Sequence, residues 1–486
     1  MRPPRFRIGR ADWVLVVLLG AHVLLQVLMF RHSSGADPVG DEKAYLDAAR
    51  SLSNALRDLG SFGPVDGADL ERNVVGNGWF MPGMSLLLTP LFLVLPDASM
   101  ESVRGYLGLV STALFLYAAW QVRRVLGPAA ALCFAVLPGL IPAFALFGVA
   151  AWGDLNAGLV LVVVLLRAVE LARVVAAGSV PTVRQVAGLA GWAVAALYLR
   201  SSMMPALVTL GLLAGATALW AFRGRERRRA VLAVLAGVVV FVSVLLPWSL
   251  LASASLGGRV VTTTSVPLAL ANTFGDRDEF CFGPCDPAGT IWFNPVQYSR
   301  EVARATGRSE LEIQEQMSAY ARRDVTLHSY AGDVLENLER YRTDPAFYLD
   351  YLPYDKEADR FEEESRDVTD RFFTLGTIVV VLALLLVSRG PRDRQVQVLL
   401  VKVALGGLLF QPFVHMAGSR YWTTAAAVAG LALGVLVTWG LDLLRELRRP
   451  RPGGPPDDTG LRVLTLLQAL LAVGAVGALA GLHLLA

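Results

Sequence analysis

Residues 1–30 read MRPPRFRIGRADWVLVVLLGAHVLLQVLMF, with four arginines in the first ten residues and then the apolar stretch Asp12–Phe30. Because about 20 apolar residues in a helix cross the hydrocarbon core of a bilayer, the stretch predicts a membrane span. A cleaved signal peptide is the alternative. However, Leu28-Met29-Phe30-Arg31 lacks the small residues of a cleavage site, and the apolar run is long for a signal.

The composition of the whole chain agrees with a membrane protein. The 486 residues are 54% hydrophobic and 17% charged, and the mean hydropathy is +0.50. Such a composition excludes a disordered chain, a disulfide scaffold and a nucleic-acid-binding protein, and it nearly excludes a soluble enzyme. The net charge of +3 says nothing about partners, because the positions of the charges carry the information.

Ten further apolar runs resemble the first one, each interrupted by charge, Gly or Pro. They lie at about 103–121, 126–146, 155–172, 185–199, 203–222, 230–251, 372–388, 395–414, 422–443 and 461–485. The sequence therefore predicts an all-α polytopic membrane protein with about eleven transmembrane helices.

The arginines predict how these spans are oriented, since positively charged loops stay in the cytoplasm. With the N-terminus inside, every arginine-rich loop falls inside: Arg123-Arg124, Arg173 with Arg184, Arg223–Arg229, Arg389–Arg394 and Arg445–Arg451. The loops around Asp154, Arg200 and Arg420 hold at most one basic residue each and fall outside. We expect a multi-pass protein of the cell (inner or plasma) membrane with its C-terminus outside.

One apolar run is too short to be a span. Pro82–Pro96 has 15 residues, with proline at 82, 90 and 96. It is predicted to be a juxtamembrane or re-entrant segment.

The predicted topology leaves two large regions outside the membrane and divides the chain into three parts. Residues 31–82 form the first outer loop of an N-terminal module, 1–251; residues 252–371 form a small extracytoplasmic domain; and residues 372–486 form a C-terminal membrane module. The outer domain holds 22 of the 41 acidic residues, and helical spacing of apolar residues over Ser299–Leu349 predicts that it is mainly helical. The proline-rich segment Arg448–Asp458 is predicted to be a flexible cytoplasmic linker.

The three cysteines do not indicate a metal site. Cys133 lies in a span and is interpreted as a packing residue. Cys281 and Cys285 lie in the outer domain, where a local disulfide is favoured over two free thiols. Two cysteines without a nearby histidine are too few to hold zinc.

The first outer loop offers a candidate catalytic carboxylate. Asp41 and Glu42 begin a segment whose apolar residues recur at helical spacing, which predicts an amphipathic helix at the membrane surface. Acidic residues in a first helical turn also stabilise the helix dipole, and that role alone would explain them. The functional alternative is a carboxylate that removes a proton from a hydroxyl nucleophile.

Asp154 is the only charge between Leu126 and Leu166. Such a residue is either a solvated helix cap or part of a site. Because the topology places it on the same membrane face as Asp41, the two carboxylates are expected to meet in one cavity.

Five stretches resemble the GT-C glycosyltransferases that use polyprenyl-phosphate sugars, a family that includes protein O-mannosyltransferases and the aminoarabinose transferase of lipid A. In order along the chain they are Gly40–Arg50, Pro82–Leu88, Phe147–Leu165, the entry into the outer domain (Pro247-Trp248, Gly258–Thr264 and Asn272) and His415–Tyr421. The first resembles the Asp-Glu…Tyr…Ala-Arg segment of the family, and the last resembles its late outer loop with Arg-Tyr. Where the aminoarabinose branch has a lysine before the proline of the second stretch, this chain has Met81.

The resemblance implies the activity and the site. Asp41 matches the first acidic motif of the family, whose members use it as the catalytic or acceptor-orienting carboxylate. Asp154 matches the second acidic motif, and Glu42 is the alternative base. The implied donor is a polyprenyl-phosphate sugar, and the implied acceptor is a hydroxyl of a cell-envelope glycan, lipid or protein, attacking with inversion on the extracytoplasmic face.

Cationic partners for the leaving phosphate are predicted at the outer ends of spans. Arg200 and Arg420 are the candidates, because guanidinium groups suit phosphate oxygens; arginines that only snorkel to the interface are the alternative. His415 is a third, weaker candidate. No metal or cofactor is expected for a donor with one phosphate, whereas a diphosphate donor would favour a divalent cation on the acidic pair.

Two rival functions stay open at this point. A secondary transporter explains the spans but not the outer domain, and the charges that we place within spans, Lys402 and Arg167, lie near the inner ends rather than at the midplane. A non-catalytic membrane scaffold with a partner-binding outer domain is the other rival. A nucleotide-sugar donor is disfavoured because no Gly-rich phosphate loop lies on the inner side.

Overall fold

The fold is known from a computed structural model, which describes residues 9–76, 78–275, 294–343, 349, 356–415, 420–448 and 459–486. Every regular element in these ranges is helical, as the sequence predicts. Cys281, Cys285 and linker residues 449–458 lie outside the described residues, so the expectations about them stay predictions.

The described part of the N-terminal half contains eleven α-helices. They are α1 (Arg10–Ser33), α2 (Asp41–Gly60), α3 (Gly67–Leu70), α4 (Gly83–Val94), α5 (Met100–Leu126), α6 (Pro128–Val136), α7 (Pro142–Val149), α8 (Asp154–Ala176), α9 (Val183–Leu199), α10 (Met204–Trp220) and α11 (Gly224–Leu256).

The rest of the described chain adds eight more. They are α12 (Ser265–Phe274), α13 (Asn294–Thr306), α14 (Glu310–Ala321), α15 (Leu327–Thr343), α16 (Lys356–Leu385), α17 (Arg392–Leu408), α18 (Arg420–Arg448) and α19 (Thr459–Leu485). The described residues of the predicted outer domain therefore form helices, as expected. Helix α16 continues without a break through residues 371 and 372. The last helix of the predicted outer domain is therefore continuous with the next predicted span.

Eight helices of the described chain are long and apolar enough to cross a membrane: α1, α5, α10, α11 and α16 to α19. Two further predicted spans are also single helices. Helix α8 has 23 residues, and its residues 154–166 are all buried, so it lies at the centre of the bundle. Helix α9 has 17 residues and packs against α8 and α11.

The predicted span at 126–146 is wrong as a single helix. The chain forms α6 and α7 instead, separated by residues 137–141. Pro138 and Pro142 explain the break, because proline has no amide hydrogen to donate and disfavours helical geometry in the residue before it.

The short run Pro82–Pro96 forms the 12-residue helix α4. Its buried residues include Met84, Leu88 and Phe92, and it packs mainly on α2. The two helices form a pair beside the ends of the longer helices, as a juxtamembrane segment requires.

Ion pairs join the helix ends that the topology places on the cytoplasmic side. Arg123 Nε lies 2.7 Å from an Asp12 oxygen, Arg173 Nε 2.7 Å from Asp393, and Arg394 Nη2 2.7 Å from Asp442. These pairs link α1 with α5, α8 with α17, and α17 with α18. The predicted order of spans requires these helix ends to lie at the same end of the bundle, and the ion pairs agree with that. Which side of the membrane this end faces stays a prediction.

Cysteine labelling tests that orientation. In a variant that lacks the three native cysteines, Ser61→Cys should react with an impermeant maleimide added outside intact cells, because Ser61 follows α2 and is exposed. Arg225→Cys, also exposed, should react only after the membrane is opened. The reverse pattern would invert the topology and place the candidate site in the cytoplasm.

Candidate active site

Asp41 stands at the start of α2. The preceding residue, Gly40, has φ +54°, a backbone conformation that favours glycine. This turn places Asp41 in the first turn of the helix, and its Oδ2 lies 2.5 Å from Nη2 of Arg420, the first residue of α18.

Asp154 begins α8 and is completely buried. Its two carboxylate oxygens lie 3.0 Å from Nη1 and Nε of Arg200. Its Oδ2 also lies 3.5 Å from Nε of Arg420, and Thr424 Oγ1 donates to its Oδ1 at 3.4 Å. Residues from four distant parts of the chain thus form one cluster, Asp41, Asp154, Arg200 and Arg420, which we call the four-charge cluster.

Two glycines allow the backbone to bring this cluster together. A Cβ on Gly153 would lie 2.2 Å from the Leu199 carbonyl oxygen, and one on Gly83 would lie 2.3 Å from the Tyr198 carbonyl carbon. The starts of α8 and α4 therefore both lie against the last turn of α9, directly before Arg200. Any side chain at either position would push these segments apart.

Aromatic rings support the two guanidinium groups. The Arg200 guanidinium carbon lies 4.6 Å from the ring centre of Tyr421, and that of Arg420 lies 5.6 Å from the same ring and 5.9 Å from Trp152. Cation–π contacts of this kind stabilise a guanidinium without neutralising it. The arginines are thus held in place by groups that carry no charge as well as by the carboxylates.

Two buried tyrosines adjoin the cluster. Burial raises the pKa of Tyr45, one helical turn after Asp41, and the Asp41 carboxylate acts in the same direction. Burial also raises the pKa of Tyr341, whose hydroxyl donates to the Tyr421 carbonyl at 2.9 Å. Both hydroxyls therefore remain protonated at neutral pH, and the Tyr341 hydrogen bond joins α15 to the start of α18.

The four charged side chains differ in access. The Asp41 side chain is 25% exposed, Arg420 16%, Arg200 12% and Asp154 0%. A molecule that enters the site meets Asp41 and the two arginines, whereas Asp154 is covered by its partners.

Two predicted site residues lie apart from this cluster. Glu42 is buried and pairs with Arg104, with Oε1 3.3 Å from Nη1; it also accepts from the amides of Ala151 and Val39 at 2.7 and 2.9 Å. His415 lies at the edge, its ring 5.9 Å from that of Tyr421.

Sequence reasoning missed Arg104. It falls inside the predicted span 103–121 and is 4% exposed, so Lys402 and Arg167 are not the only charges within the predicted spans. A charge inside an apolar run was a visible signal that a buried acidic partner had to exist.

In the described residues, no three or more His, Cys, Asp and Glu side chains are grouped so that they could hold a metal ion. Each carboxylate of the four-charge cluster has a guanidinium partner instead.

Comparison with known proteins gives structural neighbours only. No family model matches the chain, and no curated protein sequence matches it. The oligosaccharyltransferase AglB from Archaeoglobus fulgidus, in complex with an inhibitory peptide and a dolichol-phosphate, is 14% identical, with a TM-score of 0.42 over 97% of this chain and 56% of its own. This chain thus spans little more than half the length of that enzyme.

Two further solved structures are similar. The apo form of the Archaeoglobus fulgidus oligosaccharyltransferase is 12% identical, with a TM-score of 0.45 over 98% of this chain and 56% of its own. ArnT from Cupriavidus metallidurans bound to undecaprenyl phosphate is 15% identical, with a TM-score of 0.34 over 96% of this chain and 88% of its own. Because all three TM-scores are below 0.5, the likeness is too loose to assign a function to this chain.

Proposed function

We propose that this protein is an integral-membrane glycosyltransferase that moves a sugar from a polyprenyl-phosphate donor to a hydroxyl of a cell-envelope glycan, lipid or protein on the extracytoplasmic face. The observation that carries the proposal is the four-charge cluster at the predicted outer end of the bundle, where a partly exposed carboxylate and two guanidinium groups lie side by side. The phosphate of a lipid-linked sugar lies at the headgroup level of a membrane, which is where the predicted topology puts this cluster.

Asp41 is proposed as the general base. It is the more exposed of the two carboxylates, and a positioned carboxylate can take the proton of a hydroxyl as that hydroxyl attacks. Because Asp154 is fully buried, it is assigned a positioning role, in which it holds both arginines at the site.

Arg200 and Arg420 are proposed to bind the phosphate. Negative charge grows on the leaving phosphate as the bond to the sugar breaks, and guanidinium groups match phosphate oxygens in charge and geometry. Their cation–π contacts with Tyr421 keep them in place when a phosphate replaces a carboxylate partner.

Helix α4 is proposed to guide the lipid chain. Its first residues lie against the last turn of α9, next to Arg200, and Leu86, Leu93 and Val94 are exposed along it. A polyprenyl chain attached to a phosphate at Arg200 would extend along this apolar surface into the bilayer.

Inversion at the anomeric carbon follows from the same roles. Retention needs an enzyme carboxylate that attacks the anomeric carbon from the side opposite the phosphate. Asp154, the second carboxylate of the cluster, cannot take this role because it is buried behind the arginines. The acceptor hydroxyl is therefore proposed to attack directly, opposite the phosphate.

The donor assay tests this function. Purified protein in detergent receives either a synthetic polyprenyl-phosphate sugar or the matching nucleotide sugar, with envelope extract as acceptor. We expect transfer from the lipid donor alone, and a product with inverted anomeric configuration by NMR. Transfer from the nucleotide sugar alone would contradict the proposed donor, and retention would contradict the proposed mechanism.

A further inference from the structure

Among the described residues, Arg420 is shared between two carboxylates, whereas Arg200 pairs with one. Its Nη2 lies 2.5 Å from Asp41, and its Nε lies 3.5 Å from Asp154; the acidic partner of Arg200 is Asp154. The two negative and two positive groups balance, so the cluster is neutral. An anionic phosphate therefore has to compete with Asp41 for Arg420.

We propose that Arg420 passes its ion pair from Asp41 to the donor phosphate as Asp41 takes the proton of the acceptor. This inference rests on the proposed function and deepens it, because it couples the base to the leaving group. Protonated Asp41 is neutral and no longer attracts Arg420 as a carboxylate does. The guanidinium becomes available in the same step in which the phosphate gains charge.

The step balances in bonds and charge. The acceptor O–H bond breaks and its proton goes to Asp41, while the acceptor oxygen forms a bond to the anomeric carbon. The bond from that carbon to the phosphate oxygen breaks, and its electron pair stays on the phosphate. One negative charge thus disappears at Asp41 and one appears at the phosphate, on either side of Arg420.

The surroundings of Arg420 allow the exchange without a large movement. Its contacts with Asp154, Tyr421 and Trp152 do not involve Asp41. These contacts keep the guanidinium at the site when the bond to Asp41 is lost. A small rotation of the guanidinium group is then enough to move Nη2 from Asp41 to the donor phosphate.

A binding experiment on the full-length protein in detergent tests the coupling. Asp41→Asn imitates the neutral, protonated side chain. The variant is expected to bind farnesyl phosphate about tenfold more tightly than the wild type by isothermal titration calorimetry, although its rate of sugar transfer falls by about 10²-fold or more. Farnesol, which has the chain without the phosphate, should bind both proteins equally.

A double-mutant cycle identifies Arg420 as the cause, because removal of Asp41 also removes a general repulsion of anions. Arg420→Gln should bind farnesyl phosphate more weakly, and adding Asp41→Asn to it should give little or no gain. Asp47→Asn, on the exposed part of the same helix, is the control and should change nothing.

The outcomes separate the two proposals. If Asp41→Asn binds farnesyl phosphate no better than the wild type, or if the gain persists in Arg420→Gln, the coupling is wrong while the donor assignment stands. If neither the wild type nor any variant binds farnesyl phosphate better than farnesol, the donor assignment itself is wrong, and the coupling with it.

Discussion

Asp41→Asn is expected to reduce sugar transfer by about 10²-fold or more, the usual loss for a positioned general base. Asparagine keeps the shape of the side chain but cannot accept the proton of the acceptor hydroxyl. Since Asp41 is partly exposed, the amount of folded protein should not fall. The measurement is the initial rate of transfer from a polyprenyl-phosphate sugar, normalised to monodisperse protein by gel filtration.

The matched control for this variant is Asp47→Asn. Asp47 lies on the same helix, with a side chain that is 58% exposed and paired only with the neighbouring Arg50 among its described contacts. It should retain wild-type activity. Wild-type activity in Asp41→Asn would remove Asp41 from the mechanism.

Arg104→Met is expected to destabilise the protein severely, by about 3–5 kcal/mol, because it leaves Glu42 as an uncompensated buried charge. The pair is 4% and 1% exposed. Arg104 Nη2 also donates to the Ala36 carbonyl at 3.0 Å, and Glu42 accepts from the amide of Ala151. The loss of the Arg104 side chain therefore weakens the contacts that join α5, the start of α2 and the loop before Asp154.

Thermal unfolding in detergent, followed by circular dichroism, measures this effect. The double variant Arg104→Met with Glu42→Gln removes both charges and should recover much of the lost stability. Arg124→Met, which breaks a partly exposed pair with Glu170, with side chains 39% and 32% exposed, should cost at most about 1 kcal/mol. A melting temperature of Arg104→Met equal to that of Arg124→Met would contradict the structural role of the buried pair.

This role changes what Glu42 variants report. The sequence suggests Glu42 as an alternative base, but its carboxylate accepts from two backbone amides and pairs with Arg104, away from the four-charge cluster. A loss of activity in Glu42→Gln would accompany a loss of folded protein, whereas a loss in Asp41→Asn would not.

The sequence predicts the helices well because hydropathy and periodicity report local structure. Runs such as 12–30, 103–121 and 422–443 each coincide with one helix, α1, α5 and α18. The run 126–146 is apolar enough to predict one span, but the prolines inside it divide it into α6 and α7.

The candidate site was predictable only in part. The arginine asymmetry of the loops was enough to place Asp41, Asp154, Arg200 and Arg420 on one membrane face, and the structure brings these four side chains together. The pairing within the cluster, the contribution of Tyr341 from the outer region and the separate pair of Glu42 with Arg104 were not predictable. They depend on contacts between residues 46 to 379 positions apart, about which local periodicity carries no information.

Photo-crosslinking with a polyprenyl phosphate that carries a diazirine next to the phosphate tests the central claim most directly. If the proposed site is correct, mass spectrometry should find the label on peptides around Arg200 and at the start of α18 around Arg420, and unlabelled farnesyl phosphate should compete with this labelling. Labelling confined to the arginines at the opposite end of the bundle, such as Arg123 and Arg394, would contradict it.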